Sequence, residues 1–395
     1  MKIISVVGAR PNFIKIAPFI REIDRYNQGA SDPIEHLLVH TGQHYDDRMS
    51  KRFFEALNIP AADINLDVGS GSHAYQVGTT MIEFEKILIK ERPDWVVVVG
   101  DVNATLACSV TAKKEHIKVC HIEAGLRSGD LDMPEEINRL ITDRISDLLL
   151  TPDRISTNNL YKEGVDAGKI ELVGNIMIDT LEANKAKSEI LLLEEIVQRN
   201  LLDEQKHTEP SAPDVYALVT LHRPSNVDDK DILSEILDFL LNEVSKKMSI
   251  VWPVHPRTKS KLMEFGCWDH LVKSPDCILL HPLGYHEMLK LNISSKIVLT
   301  DSGGLQEECT VLGTPCLTLR WNTERPVTLT RNGGVSQLVG NDVEKIRAAF
   351  FEMLLSHRMP HLPELWDGMT AQRCLKSITS YLEASDLDAA ALKVS

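Results

Sequence analysis

The sequence contains no long apolar run. Its longest apolar segments, such as Trp95–Val99, are far shorter than the roughly 20 residues that a helix needs to cross a bilayer. The short apolar stretch at the N-terminus soon meets Arg10 and Pro11, a pattern that is not typical of a signal peptide. We therefore expect a cytoplasmic protein with no membrane association.

Basic residues are also scarce. Lysine and arginine number 43 against 57 aspartates and glutamates, which gives a formal charge of −14. Proteins that bind nucleic acids or anionic membrane surfaces need a basic face to meet phosphate, so neither partner is expected. A local basic site for a small phosphate ligand is compatible with this charge.

Closely spaced cysteine pairs are missing as well. The 7 cysteines include no CxxC pair and no Cys/His spacing typical of zinc ligands, and Cys120 and Cys316 lie inside apolar runs. The pattern predicts reduced, buried thiols, with neither a disulfide framework nor a metal site.

Short β-branched apolar runs alternate with longer amphipathic stretches along nearly the whole chain. The runs are Ile3–Val7, His36–His40, Trp95–Val99, Lys118–Ile122, Asp147–Leu150, Ile170–Val173, Val215–Thr220, Ile250–Val254, Ile278–Leu280, Lys296–Thr300 and Pro315–Leu319. Apolar strands separated by helices are typical of parallel sheets covered on both faces, and about a dozen strands are too many for one open sheet. We therefore predict an α/β fold with two doubly wound domains, residues 1–174 and 175–370, and a final helix at about 371–385.

Several ionisable residues follow the predicted strands of the first half. In open α/β sheets, ligands bind at the carboxyl ends of the strands. Arg10 follows the first strand, Asp101 and Glu123 follow two later ones, and Glu135 and Glu136 begin a helix. Asp101 could simply cap a helix, and the two glutamates could complement a helix dipole. Three carboxylates at one crevice would instead indicate proton transfer, with crowding raising the pKa of at least one of them.

The second half has two further polar strand ends. His222 and Arg223 follow one strand, and Ser302–Gly304 follow another at the start of a helix. The Ser302–Gly304 turn should present free backbone amides at a helix N-terminus, which is an anion site, with Glu307 and Glu308 one turn further on. The first strand ends without a GxGxxG fingerprint, so a redox dinucleotide is not indicated.

Taken together, these segments resemble one enzyme family, the non-hydrolysing UDP-N-acetylglucosamine 2-epimerases. The motifs that carry the resemblance run in order from residue 1 to about 340: GARPNFIK, TGQHYDD, GDVNATLA, HIEAGLRS, MPEEINR, TLHRPSNVD, DSGGLQEE and NTERPV. The resemblance implies two Rossmann-like domains facing a central cleft, as in GT-B glycosyltransferases, with the C-terminal helix packing back on the first domain. It also implies a homodimer and no metal or redox cofactor.

Carried over motif by motif, the resemblance implies a set of site residues. Asp101, Glu123, Glu136 and His222 would be catalytic. The substrate-binding residues would be Arg10, Lys15, His44, Arg139, His255, Leu283, Ser302, Gly303, Gly304, Glu308 and Arg325. Within this set, Arg10 and Ser302–Gly304 would hold the diphosphate and Glu308 the ribose, Arg325 would support the nucleotide side, and uracil would rest against the backbone near His281–Tyr285.

The reaction implied by the resemblance interconverts UDP-N-acetylglucosamine and UDP-N-acetylmannosamine, for surface polysaccharide precursors. UDP would be eliminated to leave 2-acetamidoglucal and then added back. The TLHRPSNVD wording and the arginine-free stretch Val68–Tyr75 differ from the more arginine-rich, substrate-activated members. The alternatives are therefore a 2-epimerase of a modified UDP-hexosamine such as a diacetamido uronic acid, a hydrolysing 2-epimerase, a GT-B glycosyltransferase and a non-catalytic nucleotide-sugar sensor.

Overall fold

The computed structural model describes residues 1–42, 57, 59–208 and 210–392. Contacts divide the chain into two compact units, of which unit 1 comprises residues 1–183 and 363–395 and unit 2 residues 184–362. The sequence placed the first break at Gly174–Asn175 and the second near residue 370. The first unit continues beyond 174 because a helix, Ile176–Glu189, begins there and its first residues contact unit 1.

Unit 1 is built on a parallel sheet that, within the described residues, has seven strands in the order β3-β2-β1-β4-β5-β6-β7. The strands are β1 (Lys2–Val7), β2 (Glu35–His40), β3 (Ile64–Asn65), β4 (Trp95–Val99), β5 (Lys118–Ile122), β6 (Leu148–Thr151) and β7 (Ile170–Leu172). All five residues of β4 are buried, since helices cover both faces of a parallel sheet.

Helices connect these strands. They are α1 (Arg10–Asn27), α2 (His73–Glu91), α3 (Asn103–Lys114), α4 (Pro134–Ile145), α5 (Arg154–Lys162) and α6 (Ile176–Glu189). Local sequence signals set their starts. Proline occupies the first turn of α1 and of α4, where no intrahelical amide bond is lost, and the Ser72 hydroxyl accepts the Tyr75 amide at 3.2 Å to cap α2.

Unit 2 repeats the plan with six parallel strands within the described residues, in the order β10-β9-β8-β11-β12-β13. The strands are β8 (Tyr216–Thr220), β9 (Ser249–Pro253), β10 (Cys277–Leu280), β11 (Ile297–Thr300), β12 (Cys316–Thr318) and β13 (Ser336–Leu338). The helices are α7 (Leu193–Asn200), α8 (Pro224–Val227), α9 (Lys230–Phe239), α10 (Pro256–Glu264), α11 (Trp268–Lys273), α12 (Tyr285–Ser294), α13 (Gly303–Leu312) and α14 (Val343–Leu354).

The final helix, α15 (Thr370–Leu392), belongs to unit 1. The Asp179 carboxylate accepts the backbone amides of Thr370 at 3.0 Å and Ala371 at 2.7 Å, which satisfies two of the unpaired donors at the start of this helix. Arg373 donates to the Val173 carbonyl at 2.6 Å. These bonds attach the C-terminal segment to the first unit.

Both sheets have the strand order of a doubly wound Rossmann domain, so the predicted α/β class is confirmed. Every apolar run that the sequence analysis named overlaps an observed strand, whereas β3 and β13 were not predicted. All seven cysteines lie in the described residues and are free thiols, with Cys120 and Cys316 buried in strands. Among the described residues, no helix combines the length and the apolar character that crossing a membrane requires.

Candidate active site

In each unit the strand order reverses between two central strands. These are β1 and β4 in unit 1, and β8 and β11 in unit 2. Loops leave the sheet in opposite directions at such a point, which opens a crevice at the carboxyl ends of the strands. The candidate residues of each unit lie at or near this point.

Glu123 lies just beyond β5 and is 4 % exposed. Its Oε2 atom forms an ion pair with Nζ of Lys15, a buried residue of α1. Both groups lie beside Gly100, which follows β4. If residue 100 had a side chain, its Cβ atom would lie 3.1 Å from Lys15 Nζ and 3.3 Å from Glu123 Oε2. The absence of a side chain at residue 100 therefore leaves room for this pair.

Asp101 and Glu136 share one buried cation, the guanidinium group of Arg139. Nη1 of Arg139 pairs with the Asp101 carboxylate, while Nε and Nη2 lie 3.0 and 2.5 Å from Glu136 Oε2. The Asp101 side chain keeps 22 % of its surface exposed, whereas that of Glu136 keeps 3 %. Of the two, Asp101 is the carboxylate that a ligand can reach.

Glu136 also accepts the backbone amides of Ser128 at 3.0 Å and Gly129 at 2.9 Å, and the Ser128 hydroxyl at 3.0 Å. Burial raises the pKa of Glu136, but these amides and Arg139 outweigh it, so the pKa of this carboxyl is lowered from its ordinary value. Because donors surround its charge, Glu136 is not the carboxyl group whose pKa crowding was expected to raise.

Helix α4 is responsible for this arrangement because its charged face is buried. Glu136, Arg139 and Asp143 lie at spacings of three and four residues, on one face of the helix, and each is about 2 % exposed. Ile137 and Ile141 lie on another face and are 45 % and 39 % exposed. The helix thus presents ionisable groups to the interior of unit 1 and isoleucines to its surface.

In unit 2, the His222 side chain is oriented by Asp301, a residue that the sequence analysis did not select. Nδ1 of His222 lies 2.8 Å from Oδ1 of the fully buried Asp301. Asp301 Oδ2 also accepts the backbone amides of His222 and Arg223, at 2.9 and 2.8 Å. Burial raises the pKa of Asp301, but the bonds to His222 outweigh it and the pKa is lowered.

The Ser302–Gly304 turn was predicted to present free backbone amides, and this prediction fails at Ser302. The backbone N–H of Ser302 donates to the Thr300 hydroxyl at 2.9 Å, so it is not free for an anion. The amides of Gly303 and Gly304 begin α13 and have no partner within the helix. A Cβ at residue 303 would lie 2.6 Å from Nη1 of Arg325, so this guanidinium packs directly against the start of the helix.

Arg325 belongs to a buried group of alternating charges. Its guanidinium pairs with Glu324 and, at 2.8 Å, with Glu307, while Arg320 Nη2 lies 2.8 Å from Glu324 Oε2. All four side chains are less than 9 % exposed. Glu307 therefore holds the arginine.

Glu308 is buried close to the Tyr285 side chain, and burial raises its pKa to about 7. The Leu283 side chain packs in a hydrophobic cluster of unit 2. The ring of His255 lies 5.5 Å from that of His222. Burial is the main cause that lowers the pKa of His255, and the nearby His222 lowers this pKa further.

Two predicted ligand residues are described only in part or not at all. His44 lies outside the described residues, and for Arg10 the structure describes the backbone, at the start of α1.

Two residues with evident structural roles in the site were missed. Asp301 follows β11 as directly as Asp101 follows β4, and this position could have revealed it. Asp143 bonds to residues on both sides of Glu123, at His121 and Gly125. Only its spacing from Glu136 and Arg139 signalled it, and that spacing is also common on ordinary helix surfaces.

Comparisons with known proteins agree with the motifs. A family model described as UDP-N-acetylglucosamine 2-epimerase matches residues 28–379. The UDP-N-acetylglucosamine 2-epimerase of Methanocaldococcus jannaschii is 41 % identical over 96 % of this chain and 99 % of its own length. The UDP-2,3-diacetamido-2,3-dideoxy-D-glucuronate 2-epimerase of Pseudomonas aeruginosa is 39 % identical over 86 % of this chain and 88 % of its own.

A crystal structure of the M. jannaschii UDP-GlcNAc 2-epimerase in complex with UDP-GlcNAc and UDP is similar to this chain with a TM-score of 0.85 and 40 % identity. The similarity covers 96 % of this chain and 100 % of that one. It therefore extends through both units.

Proposed function

Because this chain belongs to the UDP-N-acetylglucosamine 2-epimerase family, we propose that its described carboxylates catalyse the interconversion of UDP-N-acetylglucosamine and UDP-N-acetylmannosamine at carbon 2 of the sugar. The enzyme is an isomerase. The observation that supports this chemistry best is the pairing of Glu123 with Lys15, and of Asp101 with Arg139, at the ends of neighbouring strands. Removing a weakly acidic proton from carbon requires a positioned base with electrostatic support of this kind.

The proposed reaction is an elimination followed by an addition. A carboxylate takes the proton from carbon 2, the C–H electron pair forms the C1–C2 double bond, and UDP leaves carbon 1 with the electrons of the C1–O bond. The product is 2-acetamidoglucal. In the return step a phosphate oxygen of UDP attacks carbon 1, and a proton is delivered to the opposite face of carbon 2.

The hydrogen bonds of the three carboxylates indicate different roles in the reaction. Glu136 accepts from Ser128, Gly129 and Arg139, so it is occupied in holding the arginine. We assign it a positioning role. Asp101 and Glu123, which pair with different cations, remain as the groups that remove and return the proton.

Unit 2 is assigned the nucleotide. Asp301 faces Nδ1 of His222 and orients the ring. With a proton on Nε2 as well, the imidazolium would donate a hydrogen bond to the departing diphosphate. The amides of Gly303 and Gly304, with Arg325 beside them, would stabilise the negative charge that develops on UDP. Glu308 would accept hydrogen bonds from the ribose hydroxyls.

The test is NMR of UDP-N-acetylglucosamine incubated with the protein in heavy water. The proposal predicts deuterium at carbon 2 and the appearance of the manno epimer. Asp101→Asn, Glu123→Gln and Glu136→Gln should each lower turnover about 10²-fold or more, the usual scale for acid–base groups and their partners. Glu135→Gln, one residue from Glu136 and outside its hydrogen-bond network, is the matched control and should keep the wild-type rate.

The same spectra separate the other candidates. Exchange only with the diacetamido uronic acid nucleotide would favour the activity named for the P. aeruginosa relative. Accumulation of free sugar and UDP would indicate a hydrolysing epimerase. Binding of UDP-N-acetylglucosamine without exchange at carbon 2 would contradict the proposed epimerisation and favour a transferase or a sensor.

We also propose that the enzyme works as a homodimer in the cytoplasm. Ile82 and Ile89 of α2 and Ile137 and Ile141 of α4 are exposed isoleucines on helices that both pack against α3. Burial of such a surface would stabilise a second copy of the chain. The seven free cysteines suit a reducing compartment.

A further inference from the structure

Asp143 of α4 bonds to the chain on both sides of Glu123. Its Oδ1 lies 2.6 Å from Nδ1 of His121, two residues before Glu123. Its Oδ2 accepts the backbone amide of Gly125, two residues after Glu123, at 3.0 Å. One buried carboxylate therefore connects the two ends of the turn that carries Glu123.

This turn has an unfavourable backbone conformation. Glu123 has φ +75°, in the left-handed region that residues with a side chain avoid, and Gly125 has φ +80°. A Cβ at residue 125 would lie 2.4 Å from the Ser156 carbonyl oxygen, so the chain passes tightly against the start of α5. Such strain persists only where the surroundings over-determine the conformation, and the two bonds from Asp143 supply that constraint.

The contacts continue from His121 to the other carboxylate. Nε2 of His121 lies 2.8 Å from the Gly100 carbonyl oxygen, and because a carbonyl only accepts, the ring donates this bond. This oxygen belongs to the peptide group that joins Gly100 to Asp101. Asp143 is thus bonded directly to the Glu123 turn and, through His121, to the peptide that precedes Asp101.

Asp143 does more than neutralise the nearby Arg127. Arg127 Nη1 lies 2.7 Å from Asp143 Oδ2, but Arg127 also forms two bonds of 2.8 Å to Glu163. The arginine would therefore keep a carboxylate partner if Asp143 were replaced. The bonds to His121 and Gly125, in contrast, are each made by a different oxygen of the Asp143 side chain.

We propose that Asp143 is a positioning residue for the epimerisation, holding Glu123 and, through His121, the peptide before Asp101 in their reactive geometry. The inference rests on the proposed function. It predicts that loss of Asp143 slows the chemical step and leaves substrate binding nearly unchanged, since misplacing a catalytic group by about 1 Å can lower a rate 10²-fold.

The experiment compares Asp143→Asn with Asp179→Asn. Asparagine keeps an acceptor oxygen for the Gly125 amide but has no negative charge, and its NH2 group can bond to Nδ1 of His121 only if that nitrogen carries no proton. Asp143→Ala, which removes both bonds, is therefore measured beside it. Asp179 is the control because it is also a buried aspartate of unit 1 that accepts hydrogen bonds from two backbone amides. These amides lie at the start of α15 and not beside Glu123. We expect kcat of Asp143→Asn to fall about 10- to 100-fold with KM within about threefold of wild type, and kcat of Asp179→Asn to stay unchanged.

Two results would overturn the proposal. One is wild-type kcat in both Asp143→Asn and Asp143→Ala when these enzymes are folded, and the other is an equal loss of kcat in Asp179→Asn. If Asp143→Asn does not fold, His121→Gln interrupts the same contacts and should give the same loss of kcat; a folded His121→Gln enzyme with wild-type kcat would equally overturn the proposal.

A double variant tests whether Asp143 acts through Glu123. In the Glu123→Gln background, Asp143→Asn should cause little further loss, because the group that it positions is already gone. Losses that multiply would instead assign Asp143 a purely structural role. Faster hydrogen exchange at the Gly125 amide in Asp143→Ala is the expected structural signature.

Failure of the proposed function remains distinguishable. Wild-type protein that shows no deuterium at carbon 2 of either nucleotide sugar contradicts the epimerisation itself. Wild-type exchange that both Asp143→Asn and Asp143→Ala retain in full contradicts only the positioning role.

Discussion

Burial raises the pKa of Glu308 to about 7, so this carboxyl group titrates in the range in which enzymes are assayed. Ribose hydroxyls donate hydrogen bonds, and the ionised carboxylate is the form that accepts them best. Below pH 7 the free enzyme holds a proton on Glu308 that binding must displace. We predict that UDP affinity is full above pH 7 and weakens as the pH falls, approaching about tenfold for each unit.

Calorimetric titration with UDP between pH 5.5 and 8.5 measures this dependence. The diphosphate itself takes up a proton near pH 6, so Glu308→Gln is the necessary control. The variant should bind more weakly at pH 8 and lose the part of the pH dependence that belongs to the protein. Wild type and variant with identical pH profiles would remove Glu308 from the ribose site.

Some individual residues could be predicted from sequence and others could not. Asp101, Glu123 and His222 were selected because each lies within two residues of the end of an apolar strand, a position visible in the sequence. Their partners were not visible, since Lys15 and Glu123 are 108 positions apart and only the folded sheet brings them together. For the same reason the lowered pKa of Glu136 could not be foreseen, because it depends on amides contributed by a loop.

At the scale of single elements, the start of α13 makes a specific prediction. Gly303 leaves space that Arg325 Nη1 occupies, 2.6 Å from the position of a Cβ. Gly303→Ala should displace the guanidinium and weaken UDP binding about 10- to 100-fold, the range expected for losing a hydrogen bond to a charged group.

The control is Gly29→Ala, in the turn that follows α1 in unit 1. A Cβ there would have no other atom within 4 Å. This variant should keep wild-type UDP affinity in the same calorimetric assay. Equal affinities for Gly303→Ala and wild type would show that Arg325 does not support the diphosphate.

Elements differed in how well their sequences predicted them. The long buried strands were recognised because β-branched apolar residues run without interruption, as in Trp95–Val99. Strands β3 and β13 have two and three residues and lie at the sheet edges, too short for any periodicity to appear. Helix α4 was expected only as a helix start with two acidic residues, since buried charges contradict the usual amphipathic pattern.

At the scale of the whole molecule, the exposed isoleucines of unit 1 predict its assembly. Light scattering should give a mass near twice the chain mass of 44.3 kDa. Ile82→Asp with Ile89→Asp places two charges on α2 and should shift that mass to the monomer value. Ile190→Asp, at a 79 % exposed isoleucine beyond α6, should leave the mass unchanged. A wild-type monomer at micromolar concentration would contradict the dimer.

The two-domain organisation was predictable because alternating strands and helices repeat twice along the chain. The boundaries between the units were harder to predict, because α6 begins in unit 1 and ends in unit 2. A strand count indicates how many sheets form, but only tertiary contacts determine which part of a connecting helix belongs to each.

The buried charges of α4 have a consequence for the order in which unit 1 folds. Collapse driven by apolar surface would turn Ile137 and Ile141 inward, opposite to their native exposure. The native orientation becomes favourable only when Asp101, His121 and the Ser128–Gly129 amides are in place to receive Glu136, Arg139 and Asp143. Local preference and final structure therefore conflict in this helix, and α4 should dock after the central strands have paired.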